Sequence, residues 1–109
     1  MIRGEVWTAS GGKDYAGKPR PVVIVRSDNF AAVASIAVCP LTTDPSNVPL
    51  LRIVIRPSLD NGLSDASHIM VDKVTTLPRT KLGRRGGHLT DRDMARLSRA
   101  ITVFLGLTN

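Results

Sequence analysis

The side chains best suited to act on a charged substrate are Glu5, Asp14, Lys18, Arg20, Thr42, Thr43 and Asp72. Each is a carboxylate, a cation or a hydroxyl at the end of a segment that reads as a β-strand, or in a loop beside one. From such positions a rigid sheet presents groups to a ligand. Their chemistry is proton transfer and stabilisation of developing charge. Other chemistries lack their signatures. There is no glycine-rich phosphate loop with its lysine and no G-x-S-x-G, and the two histidines, His68 and His88, do not stand at metal-ligand spacing. A metal enzyme is therefore not expected, and no cofactor is implied. The single Cys39 can form neither an internal disulfide nor a multi-cysteine zinc site, and it reads as buried and inert.

Those residues must be positioned by a mostly β chain. Glu5–Ala9 alternates weakly, and Ser10–Lys13 with Gly17-Lys18-Pro19 punctuates a polar loop. Pro21–Val25 is a β-branched run typical of a buried strand, and Ser35–Cys39 follows it. After the loop Thr42–Pro49, the segment Leu51–Arg56 puts Leu51, Ile53 and Ile55 on one face and Arg52 and Arg56 on the other. Ser67–Val74 reads as one further strand, with Ile69 and Val71 facing one way and His68, Met70 and Asp72 the other. One helix closes the chain. Thr90 caps it, Asp93 takes the capping-box position, and Met94, Leu97, Ile101, Phe104 and Leu105 keep helical spacing as far as Gly106. Short strands, close turns and one terminal amphipathic helix predict a small, strongly bent antiparallel sheet or barrel.

At 109 residues the chain is expected to be one domain, 1–109, and a protein this small often gains stability by dimerising. Its longest nearly apolar stretch, Ala31–Cys39, is far short of the roughly 20 residues that span a bilayer. The opening residues carry an acid and no long apolar run, so a cytosolic location with no membrane role is expected. The net charge of +6 suits nucleic acid or an acidic protein partner. It is unevenly placed. Arg79, Lys81, Arg84, Arg85, Arg92, Arg96 and Arg99 face only Asp91 and Asp93 in the last third, a stretch that reads blandly as a solvated helix face and loop.

Three segments in order make the sequence familiar: Arg3-Gly4-Glu5-Val6-Trp7, then Ala16-Gly17 shortly before Arg20-Pro21-Val22-Val23-Ile24-Val25, then Val38-Cys39-Pro40-Leu41-Thr42-Thr43. With Gly62-Leu63, Ser67–Leu77 and the helix ending in Leu105-Gly106-Leu107, they closely resemble the MazF/PemK (Kid) family of toxin–antitoxin ribonucleases along essentially the whole chain. The resemblance implies an SH3-like, CcdB/PemK-like barrel with a C-terminal helix, assembled as a homodimer. It also implies metal-independent cleavage of single-stranded RNA, usually messenger RNA, leaving 2′,3′-cyclic phosphate and 5′-hydroxyl ends. A cognate MazE-like antitoxin with an acidic, largely disordered segment would neutralise the toxin. Arg20 matches the family's catalytic arginine and Thr42 its catalytic threonine; Glu5, Asp14, Lys18, Thr43, Ser67 and Asp72 fall at supporting or RNA-contacting positions. Two departures stand out. Where some members pair an acid with an arginine two residues earlier, Asp72 is preceded by Met70, and the first loop carries both Lys18 and Pro19 between Gly17 and Arg20.

Each residue also has a plain structural reading. Arg20 is a surface charge at the start of a strand, Thr42 a hydroxyl closing a turn, Glu5 a structural acceptor, and His68 and His88 ordinary surface histidines. Trp7 and Phe30 read as core or dimer residues before base-stacking platforms, of which a chain with 4% aromatic residues has few. Two other functions share the same features: a CcdB-like toxin that binds a protein target such as gyrase, and an RNA-binding module that holds phosphates without chemistry.

Overall fold

The computed structural model of the chain describes residues 1–10, 18–44 and 51–108. Among them are seven strands and one α-helix: β1 (Glu5–Ala9), β2 (Arg20–Ile24), β3 (Ser35–Thr42), β4 (Arg52–Ile55), β5 (Ser67–Met70), β6 (Thr75–Pro78), β7 (Leu82–His88) and α1 (Asp91–Phe104). All pairings are antiparallel, in the order β4-β5-β3-β2-β1-β7, with β6 also on β3. No described helix is long and apolar enough to cross a membrane.

Both faces of the sheet are apolar, which is why β2 and β3 read as β-branched runs rather than as alternating segments. Val23, Val25, Cys39, Leu41, Ile53, Ile55 and Ile69 pack on the face that receives Leu97 of α1. Val22, Ile24, Ile36 and Val38 form a second cluster with Ala9 and Leu82, closed by Met1, Trp7 and Leu77. The sheet therefore has to bend round, as the strand spacing predicts.

Ser67–Val74 is not one strand. Thr42 is opposite His68 while Val38 is opposite Thr75, so four steps along β3 are matched by seven along its neighbour. The extra residues bulge out as a 3-10 turn, Val71–Lys73, which tucks Val71 fully into the core and leaves Asp72 half-buried. The basic final third is also not all helix and loop. Its first half contains β7, Leu-Gly-Arg-Arg-Gly-Gly-His, which lacks alternating apolar residues and is a strand because β1 offers it a free edge.

The glycines of β7 admit a second neighbour. The loop Ser58–Gly62 lies against it, with the His88 N–H donating to the Asp60 carbonyl at 2.7 Å. Buried Asn61 organises the loop: its Oδ1 accepts from the Ser58 and Leu63 N–H groups, and its Nδ2 donates to the Arg56 carbonyl. Gly62 holds φ +69°, and a methyl group there would overlap the Gly86 carbonyl.

The helix follows its expected limits. The Thr90 hydroxyl accepts from the Asp93 N–H at 3.1 Å, although the Asp93 carboxylate turns to Arg96 rather than back to the cap. At the other end, Gly106 (φ +74°) donates to the Val103 carbonyl and Leu107 to that of Thr102, a Schellman ending. Leu97 is buried, and Met94 and Ile101 pack on the core. Phe104 and Leu105, expected on the same apolar stripe, are 39% and 52% exposed and do not join the core cluster that takes Met94, Leu97 and Ile101.

We expect Gly62→Ala to cost more than about 2 kcal/mol, the scale of strain at a positive φ plus backbone overlap. Denaturant unfolding measures it, and a change below about 0.5 kcal/mol would show that the loop does not depend on this contact.

Candidate active site

Register brings the two principal candidates together. Val22 is opposite Pro40, and the same antiparallel register continued two residues puts Arg20, the first residue of β2, across from Thr42, the last of β3. On the other side of β3, Thr42 is opposite His68, which is in turn opposite Val54. Directly opposed residues share a face, so Arg20, Thr42, His68 and Val54 form one row across four strands. Arg20 and Val54 are exposed, and Thr42 and His68 half-buried, so the row is open to a ligand. His68, read from sequence as an ordinary surface histidine, stands in this row. No motif marks it, and only pairing between β5 and β3 places it beside Thr42.

The Thr42 hydroxyl accepts from the Asp44 N–H at 3.1 Å. It does close a turn. That bond uses a lone pair and leaves the hydroxyl proton for another acceptor. Arg20 has no ion-pair partner among the described residues, so its guanidinium is available to an anion. Lys18 and Thr43 are exposed beside these two, while Asp14 lies outside the described residues.

The other expected residues are engaged elsewhere. Ser67 is buried and donates to the Asp65 carbonyl at 3.0 Å; by strand alternation it points to the face opposite His68. Glu5 stands at the far end of β1, since it is Ala9 that lies opposite Arg20. Its Oε1 accepts from the Ile2 N–H (2.7 Å) and the Trp7 indole (3.1 Å), and its Oε2 from Arg85 (2.5 Å). Burial by itself would raise the pKa of Glu5, but these donors and the Met1 ammonium together outweigh it and hold the carboxyl at about 2. Glu5 is a structural anion.

Asp72 pairs with an arginine from another strand. Arg52, opposite Met70 on β4, donates to Asp72 Oδ2 at 3.3 Å, so the charge absent at position 70 arrives across the sheet. Asp72 Oδ1 and Arg52 Nε are buried without partners. Cys39 is fully buried and its thiol is pushed up to about 12 by that burial, only partly opposed by Arg3, which leaves it no nucleophilic role. Among the described residues no three metal-ligating side chains converge.

Comparison with known proteins places the chain in a family. Residues 2–105 match the family described as PemK-like, MazF-like toxin of type II toxin–antitoxin system. The probable endoribonuclease MazF of Mycolicibacterium smegmatis is 50% identical over 107 residues, covering 98% of each chain. A mycobacterial endoribonuclease solved in complex with its cognate antitoxin superimposes with a TM-score of 0.83 at 25% identity, covering all of this chain and 98% of that one. The MazE–MazF complex of Deinococcus radiodurans gives 0.81 at 15% identity, covering 99% and 98%, a likeness of fold alone. The chain therefore belongs to the PemK-like, MazF-like toxin family of type II toxin–antitoxin systems.

The depressed pKa of Glu5 has a consequence for stability. A carboxyl near 4.5 when unfolded and about 2 when folded stabilises the protein above pH 4.5, and that contribution is lost as pH falls toward 2. It is on the order of 3 kcal/mol. Urea unfolding between pH 6 and pH 2 should fall off less steeply for Glu5→Gln than for the native chain; parallel curves would refute the assignment.

Proposed function

We propose that this MazF-type endoribonuclease toxin cuts single-stranded RNA, chiefly messenger RNA, at the row of Arg20, Thr42 and His68, with the chain 1–109 acting in the cytoplasm as one toxin domain. The observation that carries the reading is the meeting of Arg20 and Thr42 at adjoining strand ends on an open face. In the reaction the 2′-oxygen bonds to the neighbouring phosphorus, the bond from phosphorus to the 5′-oxygen breaks, and a cyclic phosphate and a 5′-hydroxyl result. Negative charge grows on the phosphate oxygens. A guanidinium can bind two of them at once, and the Thr42 hydroxyl adds a third donor. Arginine stays charged and does not carry the proton. Histidine is the side-chain type that exchanges a proton near neutral pH, and His68 is the one placed beside Thr42. It takes the 2′-hydroxyl proton; water supplies one to the leaving oxygen, and the imidazolium returns its own to solvent.

Partners follow the same logic. A relative solved in complex with its cognate antitoxin supports an antitoxin here, and the +6 charge of the chain favours an acidic one. A second copy of the chain would cover the apolar end of the helix, where Val103, Phe104, Leu105 and Leu107 are between 39% and 73% exposed.

Arg20→Ala should lower kcat about 10²- to 10³-fold, the loss typical of one transition-state donor, with an unchanged unfolding midpoint. Comparable cutting by that variant would remove Arg20 from the site. His68→Gln should lower kcat with the fold intact, whereas an unchanged kcat would leave proton transfer to another group. Cleavage by the native chain should persist in EDTA and map to cyclic-phosphate and 5′-hydroxyl ends; loss on chelation, restored by a divalent ion, would mean different chemistry.

A further inference from the structure

A groove of about 400 Å³ lies where the free edge of β4 meets the start of α1 and the end of β7, lined by Val54, Arg56, His88, Arg92, Asp93 and Arg96 together with the Ser58–Asn61 loop and the Thr90 cap. Three arginines and one aspartate are among its lining residues. The aspartate, Asp93, is already held by Arg96 at 3.0 Å, and Arg96 also donates to the Val54 carbonyl at 3.4 Å. Arg56 and Arg92 have no ion-pair partner among the described residues. The partial positive charge at the start of a 14-residue helix adds to theirs. Two hydrogen bonds tie its walls through one loop: the Asn61 amide donates to the Arg56 carbonyl, and the His88 N–H donates to the Asp60 carbonyl.

Val54 belongs both to this groove and to the row that contains Thr42 and His68. Two interstrand steps separate it from Thr42, about 10 Å. A strand of RNA held at Arg20 and Thr42 and laid along the row therefore enters the groove within its next few nucleotides. An acidic peptide that folds on contact is the other anion of suitable length, but such segments are anchored by apolar side chains, and among the described residues whose atoms line the groove Val54 alone is apolar.

We propose that the groove is a phosphate subsite for the RNA flanking the scissile bond, with Arg56 and Arg92 each taking one phosphodiester and reading no base. The inference deepens the RNA-cleaving function proposed above and fixes the direction in which the substrate lies. Phosphate contacts of this kind position a strand, raise affinity and make it depend on salt, without choosing sequence.

The test is direct binding, read separately from cutting. A fluorescein-labelled single-stranded RNA carrying deoxyribose at the cleaved nucleotide is titrated with native chain, with Arg56→Ala/Arg92→Ala and with Arg20→Ala across a range of salt. A mixed-sequence unstructured RNA is used if the native chain cuts nothing. Arg96 is left intact because it holds Asp93, and the Arg56 carbonyl that anchors Asn61 survives the substitution. The double variant should weaken binding by tenfold or more at low salt and make the slope of log affinity against log salt shallower by about 1.4, or about 0.7 for each lost phosphate. Shortening the RNA from the end that enters the groove should erase the difference between native and double variant. An unchanged slope and affinity overturn the proposal, as does a difference that survives shortening. So does unchanged RNA binding with weaker binding of polyglutamate, which would assign the groove to an acidic protein. Native chain that binds RNA in this groove yet cuts nothing would leave the subsite standing and refute the cleavage chemistry instead.

Discussion

The divided edge of β3 is the constraint on which the rest of the structure depends. One edge of this strand pairs with β2, while the other is shared between β6 along Ser35–Val38 and β5 along Leu41–Thr42. Ile36, Val38, Cys39 and Leu41 are buried on alternating faces, so a slip of one residue would exchange two apolar sets and expose neither to advantage. A fixed register fixes the strand end. Thr42, the first half-buried hydroxyl after that run, lies where β2 begins and beside the position β5 gives to His68. The offset between β5 and β6 has to go somewhere, and it becomes the 3-10 turn that buries Val71 and leaves Asp72 where Arg52 can reach it.

The same economy governs charge. Glu5, Asp28, Asp72 and Asp93 are each engaged by an arginine. Little of their field reaches a ligand, because paired or hydrogen-bonded carboxylates present a neutralised surface. Among the described residues Arg20, Arg56 and Arg92 have no ion-pair partner; Arg20 stands at one end of the row, and Arg56 and Arg92 line the groove that Val54 shares at the other. The +6 charge is thus not a diffuse property of the surface; strand register gathers part of it beside the row proposed to carry the chemistry.

How much of this was legible in the sequence depended on whether the signal was local. β1, β2, β4 and α1 were readable because each carries its own pattern: a weak alternation, a β-branched run, a half-buried face, or a cap followed by helical spacing. β7 was not, since its glycines and arginines favour no strand and only the free edge of β1 recruits them. The break in Ser67–Val74 was equally invisible, because a run of alternating residues does not record how many of them its neighbour can match. Phe104 and Leu105 fit the helical stripe but stay exposed, because a periodicity does not record which of its positions meet a partner.

For the site, residue types alone determined which chemistry was available: one arginine before a β-branched strand, one threonine closing another, and few proton carriers. The resemblance of ordered motifs added the family, and with it Arg20 and Thr42 as a pair. Tertiary structure decided which of the remaining candidates join them. It sent Glu5 to the far end of β1 as a hydrogen-bonded anion, turned Ser67 to the other face, supplied Asp72 with Arg52 and set His68 beside Thr42. The reason is that side-chain chemistry is written residue by residue, whereas proximity in an antiparallel sheet is set by register between strands far apart in sequence, and that register is chosen by the packing of both faces at once.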